Sequence, residues 1–368
     1  MNRIYQEIPS HSILGTIVFV FLSLLLTDHL FAQDSLLVKD LKEVPLFKSD
    51  EPLVITIKSD YKSLIKGKNS EDPTYQAAEL IYNDPEGGER IFEIKIKPRG
   101  ITRRINSWCS FPPLLLNFKK KEVENTIFNG QDKLKLVAYC KNSDANEQYN
   151  IQEYLVYKVY QQLTPYSFKV RLVQVTYIDT SEKFKPVTRY GFIIENEKAL
   201  AKRNGGEIVE MQLNNHDRCD RQSIDIFTCF QFMVGNTDWW VGNQHNVKIL
   251  LVEGKMPIPI PYDFDITGVV NANYASPDER LGITSVRQRL FRGYCRRPGE
   301  YEEILEIFKD KKEAIYEIYR SSDLLDEKQL KGTLAYYDQF YEIINDPRQI
   351  RSNFYETCPL SHQHLYER

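Results

Sequence analysis

The first half of the chain alternates between apolar and polar residues, which is typical of half-buried strands. In the segment IFEIKIK, residues 91–97, the apolar residues Phe92, Ile94 and Ile96 alternate with three charged ones. A helix is predicted from residue 146, where apolar side chains recur at helical spacing until Thr164 and Pro165 end the pattern. Apolar segments of the strand type predict further strands at residues 53–58, 112–121, 169–179 and 189–195.

The second half is mostly helical by the same criterion. An apolar helix is predicted at residues 222–234, and a series of helices begins at Glu300. Breaks are expected at Ser321–Ser322 and Asp346–Pro347, and two short strands at 247–252 and 257–262 enclose the turn EGKM. The pattern therefore predicts a part rich in strands with one main helix, followed by a helical part with a small hairpin near its start.

The N-terminal residues carry a separate signal. Residues 13–26 form one apolar run, whose length suits a signal peptide and is short for a membrane span. Ala32 is a suitable residue before a cleavage site, so residues 1–32 are predicted to be a signal peptide. The protein is then expected to be periplasmic or extracellular. Because Arg3 is offset by Glu7, an uncleaved membrane anchor is the alternative.

Composition narrows the classes of partner and site. The 368 residues include 48 Lys and Arg against 51 Asp and Glu, a net charge of −3, so we expect no nucleic-acid partner. The six cysteines form no CxxC pair, which argues against a thiolate zinc site. In an exported chain some cysteines are expected to form disulfides, with pairing left open. Cys229 lies in the apolar helix and is predicted to be a buried free thiol.

Polar residues at the edges of the hairpin suggest chemistry. Gly235 is expected to end the apolar helix in a left-handed cap, which places Asp238 in a turn. Asn246 directly precedes one strand, and the return strand brings Asp263 beside it. Each Asp taken alone is most simply a turn former. Together, these oxygen ligands suit Mg²⁺, and Asp238 is placed to face a hydroxyl nucleophile, which is the set of parts used in phosphoryl transfer.

These segments resemble a known family. The sequence GNTDWWVGNQHNVK followed by PYDFD looks like the catalytic and metal-binding segments of the spore-coat protein H (CotH) kinase family. Upstream segments are similar in the same order: KIKPRG, PPLLLNFKK, the helix and strand at 146–177, and YGFIIEN. The resemblance implies an α+β, two-lobed protein-kinase-like fold. Its β-rich, nucleotide-binding N-lobe with one main helix would span 33–198, and its mostly helical C-lobe 199–368.

The resemblance also implies roles for particular residues, with ATP and Mg²⁺ (or Mn²⁺) as cofactors. Asp238 matches the catalytic residue, and Asn246, Asp263 and Asp265 match the metal ligands, with Asn243 as the rival of Asn246. A phosphate-binding lysine, its glutamate partner on the helix, the turn and the hinge complete the nucleotide site. The residues matched to them are Lys119 or Lys120, Glu153 or Glu147, Arg99, and Glu195.

The acceptor and the activity stay open at this level. The acceptor is a hydroxyl group of a protein or a small molecule. Asn236–Thr237 stands where kinases usually have a histidine, and ATP is scarce outside the cytoplasm, so an inactive kinase-like binding or assembly protein is one alternative. A metal-dependent phosphoester hydrolase is another, since it would use the same oxygen ligands. His216 and His245 lack metal-ligand spacing, and Trp239 and Trp240 are expected to pack the loop.

Overall fold

The structure is a computed structural model, and it describes residues 44–84, 87–105, 108–213 and 218–356. The described residues belong to one compact unit, Val44–Arg368. The predicted signal peptide, residues 1–32, lies outside the described residues, as do His216 and Cys358. Among the helices in the described residues, none is long and apolar enough to cross a membrane.

Seven strands form a closed barrel. Neighbouring strands are antiparallel except for β1 and β6, which are parallel and bring Ile55 opposite Val175. Their order around the barrel is β1-β2-β3-β4-β5-β7-β6. The strands are β1 Leu53–Ser59, β2 Gln76–Asp84, β3 Gly88–Pro98, β4 Leu114–Asn117, β5 Lys133–Val137, β6 Val170–Asp179 and β7 Val187–Ile194.

The barrel corrects the predicted fold class. The two-lobed protein-kinase-like fold is wrong, because the first half of the chain closes into a seven-stranded mixed barrel. Closure depends on the parallel pairing of β1 with β6, which joins residues more than a hundred positions apart. Two strands of the barrel, β2 and β5, had no prediction. Without them the sheet could not close. Alternation along one strand reports which face is buried, and carries no information about which strand lies beside it.

Alternate side chains fill the barrel. Inward-facing residues of the strands are almost all apolar and nearly inaccessible to solvent, as the pattern of β1 and β3 predicts; polar ones such as Ser59 and Asp179 lie at strand ends. Aromatic rings complete the filling, with Phe111 stacked on Tyr139 at 4.6 Å and Tyr61 close to both Phe111 and Tyr177. The interior is therefore a packed core rather than a channel, and any ligand site has to lie outside it.

Helices and a second sheet make up the rest of the described chain. The second sheet has the order β10-β9-β8, and α2 packs against β7 of the barrel. Its strands are β8 Gly206–Val209, β9 Val247–Val252 and β10 Ile258–Pro261. The described residues contain eight α-helices: α1 Tyr61–Gly67, α2 Asp144–Leu163, α3 Glu197–Arg203, α4 Arg221–Val234, α5 Glu302–Asp310, α6 Lys312–Arg320, α7 Glu327–Asn345 and α8 Pro347–Ile350.

Most of these elements were predicted by periodicity. Helices α2 and α4 begin within two residues of their predicted starts, and α6 and α7 end at the predicted breaks, whereas the break between α5 and α6 had no prediction. Each start of α2, α4 and α7 is fixed by a polar side chain that accepts a backbone N–H three residues on; these are Ser143, Asp220 and Asp326. Strong periodicity and good caps therefore specify the helical half locally.

The cysteines divide into bonded and buried groups. Cys109 and Cys140 form a disulfide that ties the segment after β3 to the segment after β5. Cys295 is also disulfide-bonded. Cys219 and Cys229 are free and buried, which confirms the prediction for Cys229.

Candidate functional site

The loop that carries Asp238 is held rigidly from its first residue. Gly235 adopts a left-handed conformation (φ 67°) and caps α4, which confirms the predicted cap. The side chain of Asn236 accepts a hydrogen bond from the backbone N–H of Asp238 at 2.9 Å. Trp239 donates its indole N–H to the carbonyl of Asn236 at 3.1 Å and is 1% exposed. The predicted packing role of Trp239 is confirmed, and the loop presents Asp238 from a fixed backbone.

The β9–β10 hairpin brings Asn246 and Asp263 to the same end, as its pattern predicts. Val247 pairs with Pro261, and the backbone N–H of Tyr262 donates to the carbonyl of Asn246 at 3.0 Å. Asn246 and Asp263 have φ values of 53° and 66°, a region that residues other than glycine rarely adopt. Such local strain tends to occur where side chains must be aimed at a ligand. The hydroxyl of Tyr157 accepts the N–H of Asp263 at 2.9 Å and fixes that end.

Both carboxylate oxygens of Asp238 are hydrogen-bonded. One oxygen lies 2.8 Å from Nε2 of His245, and the other accepts from the amide nitrogen of Asn246 at 2.9 Å. The same amide nitrogen donates to the carbonyl of Asp238 at 2.8 Å. The hydrogen bond from Asp238 raises the pKa of His245 above its ordinary value. Because Asn246 uses its nitrogen in both contacts, its amide oxygen is the atom that remains to act as a ligand.

A second cluster of charges surrounds Asp263. Arg103 lies between two carboxylates, 3.2 Å from Glu153 and 2.8 Å from Asp265. Asp265 also accepts a hydrogen bond from the hydroxyl of Tyr274 at 3.2 Å. Burial raises the pKa of Glu153, although the Arg103 guanidinium acts to lower it. Arg103 therefore compensates two acidic side chains at once, one of them almost fully buried.

Asp263 is exposed and yet poorly hydrated. Its side chain is accessible to solvent, but the surrounding protein raises the pKa of its carboxyl to about 6. Loss of hydration is the main cause and the Asp265 carboxylate adds to it, whereas Arg103 and Arg99 act in the opposite direction. This combination is typical of the floor of a cleft, where water reaches a group from one side only. Asp263 is therefore open to a ligand in a place that favours additional positive charge.

Three positive side chains lie near the hairpin end that carries Asp263. Lys135 on β5 and Lys248 on β9 share one carboxylate, that of Glu197, at 2.8 Å and 3.6 Å. Burial lowers the pKa of Lys135, and Arg99 is among the charges that act on it. Burial also lowers the pKa of Arg99, while the negative charge of Asp263 acts to raise it. Lys248 and Lys135 each lie 5.9 Å from the ring of Tyr262, the residue before Asp263, so with Arg99 they place more positive charge near this end of the hairpin than Glu197 balances.

The two lysines predicted to bind phosphate lie elsewhere. Lys119 is exposed and pairs with Glu122 at 2.8 Å and Glu93 at 3.2 Å. Lys120 is also exposed and lies 3.7 Å from Asp132. Strand β4 ends at residue 117, so both lysines follow it into a surface turn. The predicted lysine–glutamate pair is therefore wrong.

The glutamates predicted to pair with that lysine have other partners. Glu153 pairs with Arg103, and Glu147 accepts from Arg189 at 3.0 Å and from the N–H of Tyr190 at 2.6 Å. Glu147 therefore fastens α2 to β7 of the barrel.

The remaining predicted residues have structural contacts. Glu195 is 1% exposed, pairs with Arg203 at 2.9 Å and accepts the N–H of Lys169 at 3.0 Å. These bonds join the end of β7 to the start of β6. Asn243 is exposed and accepts the N–H of His245 at 3.1 Å, so it stabilises the turn before Asn246. The hairpin end is formed by Asn246, and Asn243 lies in the loop before it.

Two residues of the site were missed by sequence reasoning. Lys135 lies in the segment KLKLV, whose alternation of lysine with leucine was a signal for a strand that received no prediction. Arg103 follows Arg99 by four residues, and the pattern RGITRR gave no indication of which arginine would reach Asp265. Its partners lie 50 and 162 positions away in sequence. Only the tertiary packing of the barrel, α2 and the second sheet brings them together.

The oxygen atoms of Asp263 and Asn246 suit a hard divalent cation. Phosphate oxygens of a ligand would complete its coordination. Within the described residues, no group of three or more His, Cys, Asp or Glu side chains is arranged to hold a metal ion by itself. Mg²⁺ does not require such a group, since it commonly takes one or two carboxylates, waters and phosphate oxygens. Asp263 and the amide oxygen of Asn246 are the residues that would hold it. Arg103 and Tyr274 both bind Oδ2 of Asp265, so the charge of this carboxylate is already compensated, which makes Asp265 a weaker ligand than Asp263.

A cleft of about 660 Å³ has Asp238 in its wall. Its walls include His245, Trp240, Asn243, Arg280 and Arg292. This volume is in the range of sites for small molecules. Asp238 therefore lines a cleft that is large enough for a second reactant, and its charge also acts on Asp263.

Comparison with known proteins adds no family. No model of a protein family matches the chain, and no curated protein is significantly similar to it in sequence.

Proposed function

We propose that this protein transfers a phosphoryl group from a nucleotide such as ATP to a hydroxyl group, with Mg²⁺ or Mn²⁺ as the cation. The observation that carries the proposal is the arrangement of charges around the end of the β9–β10 hairpin. Lys135 and Lys248 each lie 5.9 Å from the ring of Tyr262, the residue before Asp263, and the charges of Arg99 and Asp263 act on each other. Asp238 lines the neighbouring cleft.

This arrangement of charges provides the groups that phosphoryl transfer requires. A polyphosphate chain carries several negative charges, which Lys135, Lys248 and Arg99 are suited to neutralise. Asp263 and Asn246 would hold a cation that supplies positive charge at the terminal phosphates. The acceptor hydroxyl approaches from the cleft, where Asp238 orients it and takes its proton as the new phosphorus–oxygen bond forms. The bond from phosphorus to the departing phosphate breaks, and the electron pair leaves with the diphosphate.

The resemblance of residues 235–265 to the CotH kinase family supports the proposal at the level of motifs. The matched residues Asp238, Asn246 and Asp263 are the ones that meet at the hairpin end. The fold gives no support, because the barrel is not a kinase lobe. The proposal therefore depends on the site and not on the architecture.

A second candidate function is a binding protein without turnover. It is favoured by the contact between Arg103 and Asp265, which neutralises a carboxylate that the transfer reaction would otherwise offer to the cation. The positive side chains would then bind an anion that is not consumed. Nucleotide affinity is common to both functions, and turnover separates them.

Calorimetric titration of ATP with and without Mg²⁺ tests the proposal directly. Lys135→Met is expected to weaken nucleotide binding even without metal, because the ammonium contacts phosphate itself. Loss of a hydrogen bond to a charged group costs about 1.5–3 kcal/mol, roughly a 10- to 100-fold loss of affinity. Lys119→Met removes the same group from the exposed surface and should leave affinity unchanged within about twofold, since surface ion pairs contribute little.

Two results would contradict the proposal. One is a parent protein that fails to bind ATP in the presence of Mg²⁺. The other is equal weakening by Lys135→Met and Lys119→Met, which would move the nucleotide away from the predicted place. Binding without transfer to any hydroxyl compound would leave the second candidate function.

We also propose that the protein is exported. The apolar run at 13–26 and Ala32 support this, and the Cys109–Cys140 disulfide fits an oxidising compartment. Mass spectrometry of the protein purified from its native host should find a mature N-terminus near Gln33. An intact Met1 on protein from the cytoplasm, with reduced Cys109, would contradict export.

A further inference from the structure

Among the residues that the structure describes, the cleft beside Asp238 contains a buried positive charge without an ion-pair partner. Arg292 lines this cleft and is 5% exposed. In the part of the chain that the structure describes, it makes one hydrogen bond to protein, donated from Nη1 to the carbonyl of Thr237. Its Nε has no partner. The guanidinium packs over the ring of Trp239 at 5.1 Å. A guanidinium has five donors, so this arrangement leaves most of its bonding capacity unused.

The neighbouring charges do not neutralise Arg292. Asp278 lies on the same wall, and its carboxylate is bound by Arg280, whose Nε is 2.8 Å away. Asp238 is held by His245 and Asn246. Burial lowers the pKa of Arg292 to about 10, and Asp238 and Asp278 act only partly against this. Arg292 remains charged at neutral pH, and a buried charge without a partner is unfavourable unless a ligand supplies one.

We propose that Arg292 is the anion-binding residue of an acceptor subsite, and that the acceptor is a small hydroxylated compound carrying a phosphate or carboxylate group. The inference rests on the proposed function insofar as the ligand is an acceptor. A carboxylate or phosphate satisfies a guanidinium better than any neutral group, because it offers two oxygens in the matching geometry. The cleft volume of about 660 Å³ suits a small molecule.

The position of Arg292 also explains how such an acceptor is aligned. Its hydrogen bond reaches Thr237, the residue directly before Asp238. An anionic group bound by Arg292 is therefore held at a fixed place relative to Asp238. A hydroxyl on the same molecule then lies towards Asp238, and its orientation is restricted before the reaction begins. The wall residues Ser276 and Gln212 provide polar groups for further hydroxyls.

Matched pairs of probes test the subsite without requiring turnover. Glycerol 3-phosphate is compared with glycerol, and gluconate with glucose, by calorimetry and by the fluorescence of the cleft tryptophan Trp240. Each anionic probe should bind at least about 10-fold more tightly than its neutral partner, as expected for a bond to a charged group. Arg292→Gln should abolish this difference.

Two control variants locate the binding. Arg280→Gln removes a guanidinium from the same cleft whose charge Asp278 already balances, and Lys135→Met removes a charge from the predicted nucleotide side. Both should retain the preference for anionic probes within about twofold. Cooperative unfolding of Arg292→Gln checks that this variant is folded, and Arg292→Lys replaces it if it is not. Because Lys keeps the charge and loses the planar fork, Arg292→Lys should still prefer anionic probes but bind them more weakly.

The results separate this inference from the proposed function. Equal affinity for anionic and neutral probes, no binding of either anionic probe, or binding that survives Arg292→Gln would overturn the subsite. Phosphoryl transfer to neutral hydroxyl compounds alone would also overturn it while the proposed function stood. Anion binding that depends on Arg292, in a protein that never transfers phosphate from ATP, would keep the anion site and remove the proposed function.

Discussion

Asp238→Ala is expected to lower the rate of phosphoryl transfer by about 10²–10⁴-fold, the usual contribution of a general base, while nucleotide affinity stays near that of the parent. The carboxylate faces the cleft and contacts neither Lys135 nor Arg99, so its loss removes proton transfer rather than phosphate binding. Single-turnover measurement of product formation, with calorimetry of ATP binding on the same sample, checks both parts of this expectation.

Asn243→Ala is the matched control for the Asp238 variant. Asn243 lies in the same loop and lines the same cleft, but its contact is with the backbone N–H of His245. We expect a change in rate well below that of Asp238→Ala. If both variants reduce the rate equally, the loop as a whole is required and Asp238 has no special part in proton transfer.

Asp263→Ala is expected to act on a different step. It removes a ligand of the cation, so Mg²⁺-dependent nucleotide affinity and rate should fall together. Loss of residues that only orient metal ligands costs about 10–100-fold in metal affinity, and loss of a ligand should cost at least as much. The effect should vanish when ATP binding is measured without metal, because Lys135 and Arg99 are intact.

Direct binding of Mn²⁺, followed by electron paramagnetic resonance, provides the second measurement for Asp263. The parent with ATP should bind Mn²⁺ more tightly than the variant with ATP. Asp265→Ala serves as the control, because Arg103 already engages that carboxylate, and a smaller loss is expected. An Asp263 variant that binds ATP with Mn²⁺ as the parent does would rule out the predicted metal site.

Local sequence was sufficient to predict one half of the site. Gly235 ends α4 because the apolar helix runs into a residue that adopts positive φ without steric cost. A short antiparallel hairpin then has to bring residues before its first strand beside residues after its second. Asn246 and Asp263 meet for this reason, and every step of the prediction used residues close in sequence.

The other half depends on pairings over long distances. Lys119 was chosen because it follows a predicted strand, but β4 is only four residues long and delivers its lysines to the surface. The lysines beside Tyr262, at the end of the hairpin, are Lys135 and Lys248, and Lys135 lies on a strand with no earlier prediction. Arg103 reaches Asp265 across 162 positions. No periodicity in the sequence carries information about contacts of this kind.

The sequence by itself determined the helices of the second half, the side-chain caps that begin α4 and α7, and the hairpin that joins Asn246 to Asp263. These features follow from side-chain spacing and from turn residues, which act over a few positions. Tertiary structure decided that the first seven strands close into a barrel, and which lysine and which arginines reach the hairpin. Closure requires β1 to pair with β6, and the free energy of that pairing comes from burying the inner faces of all seven strands together.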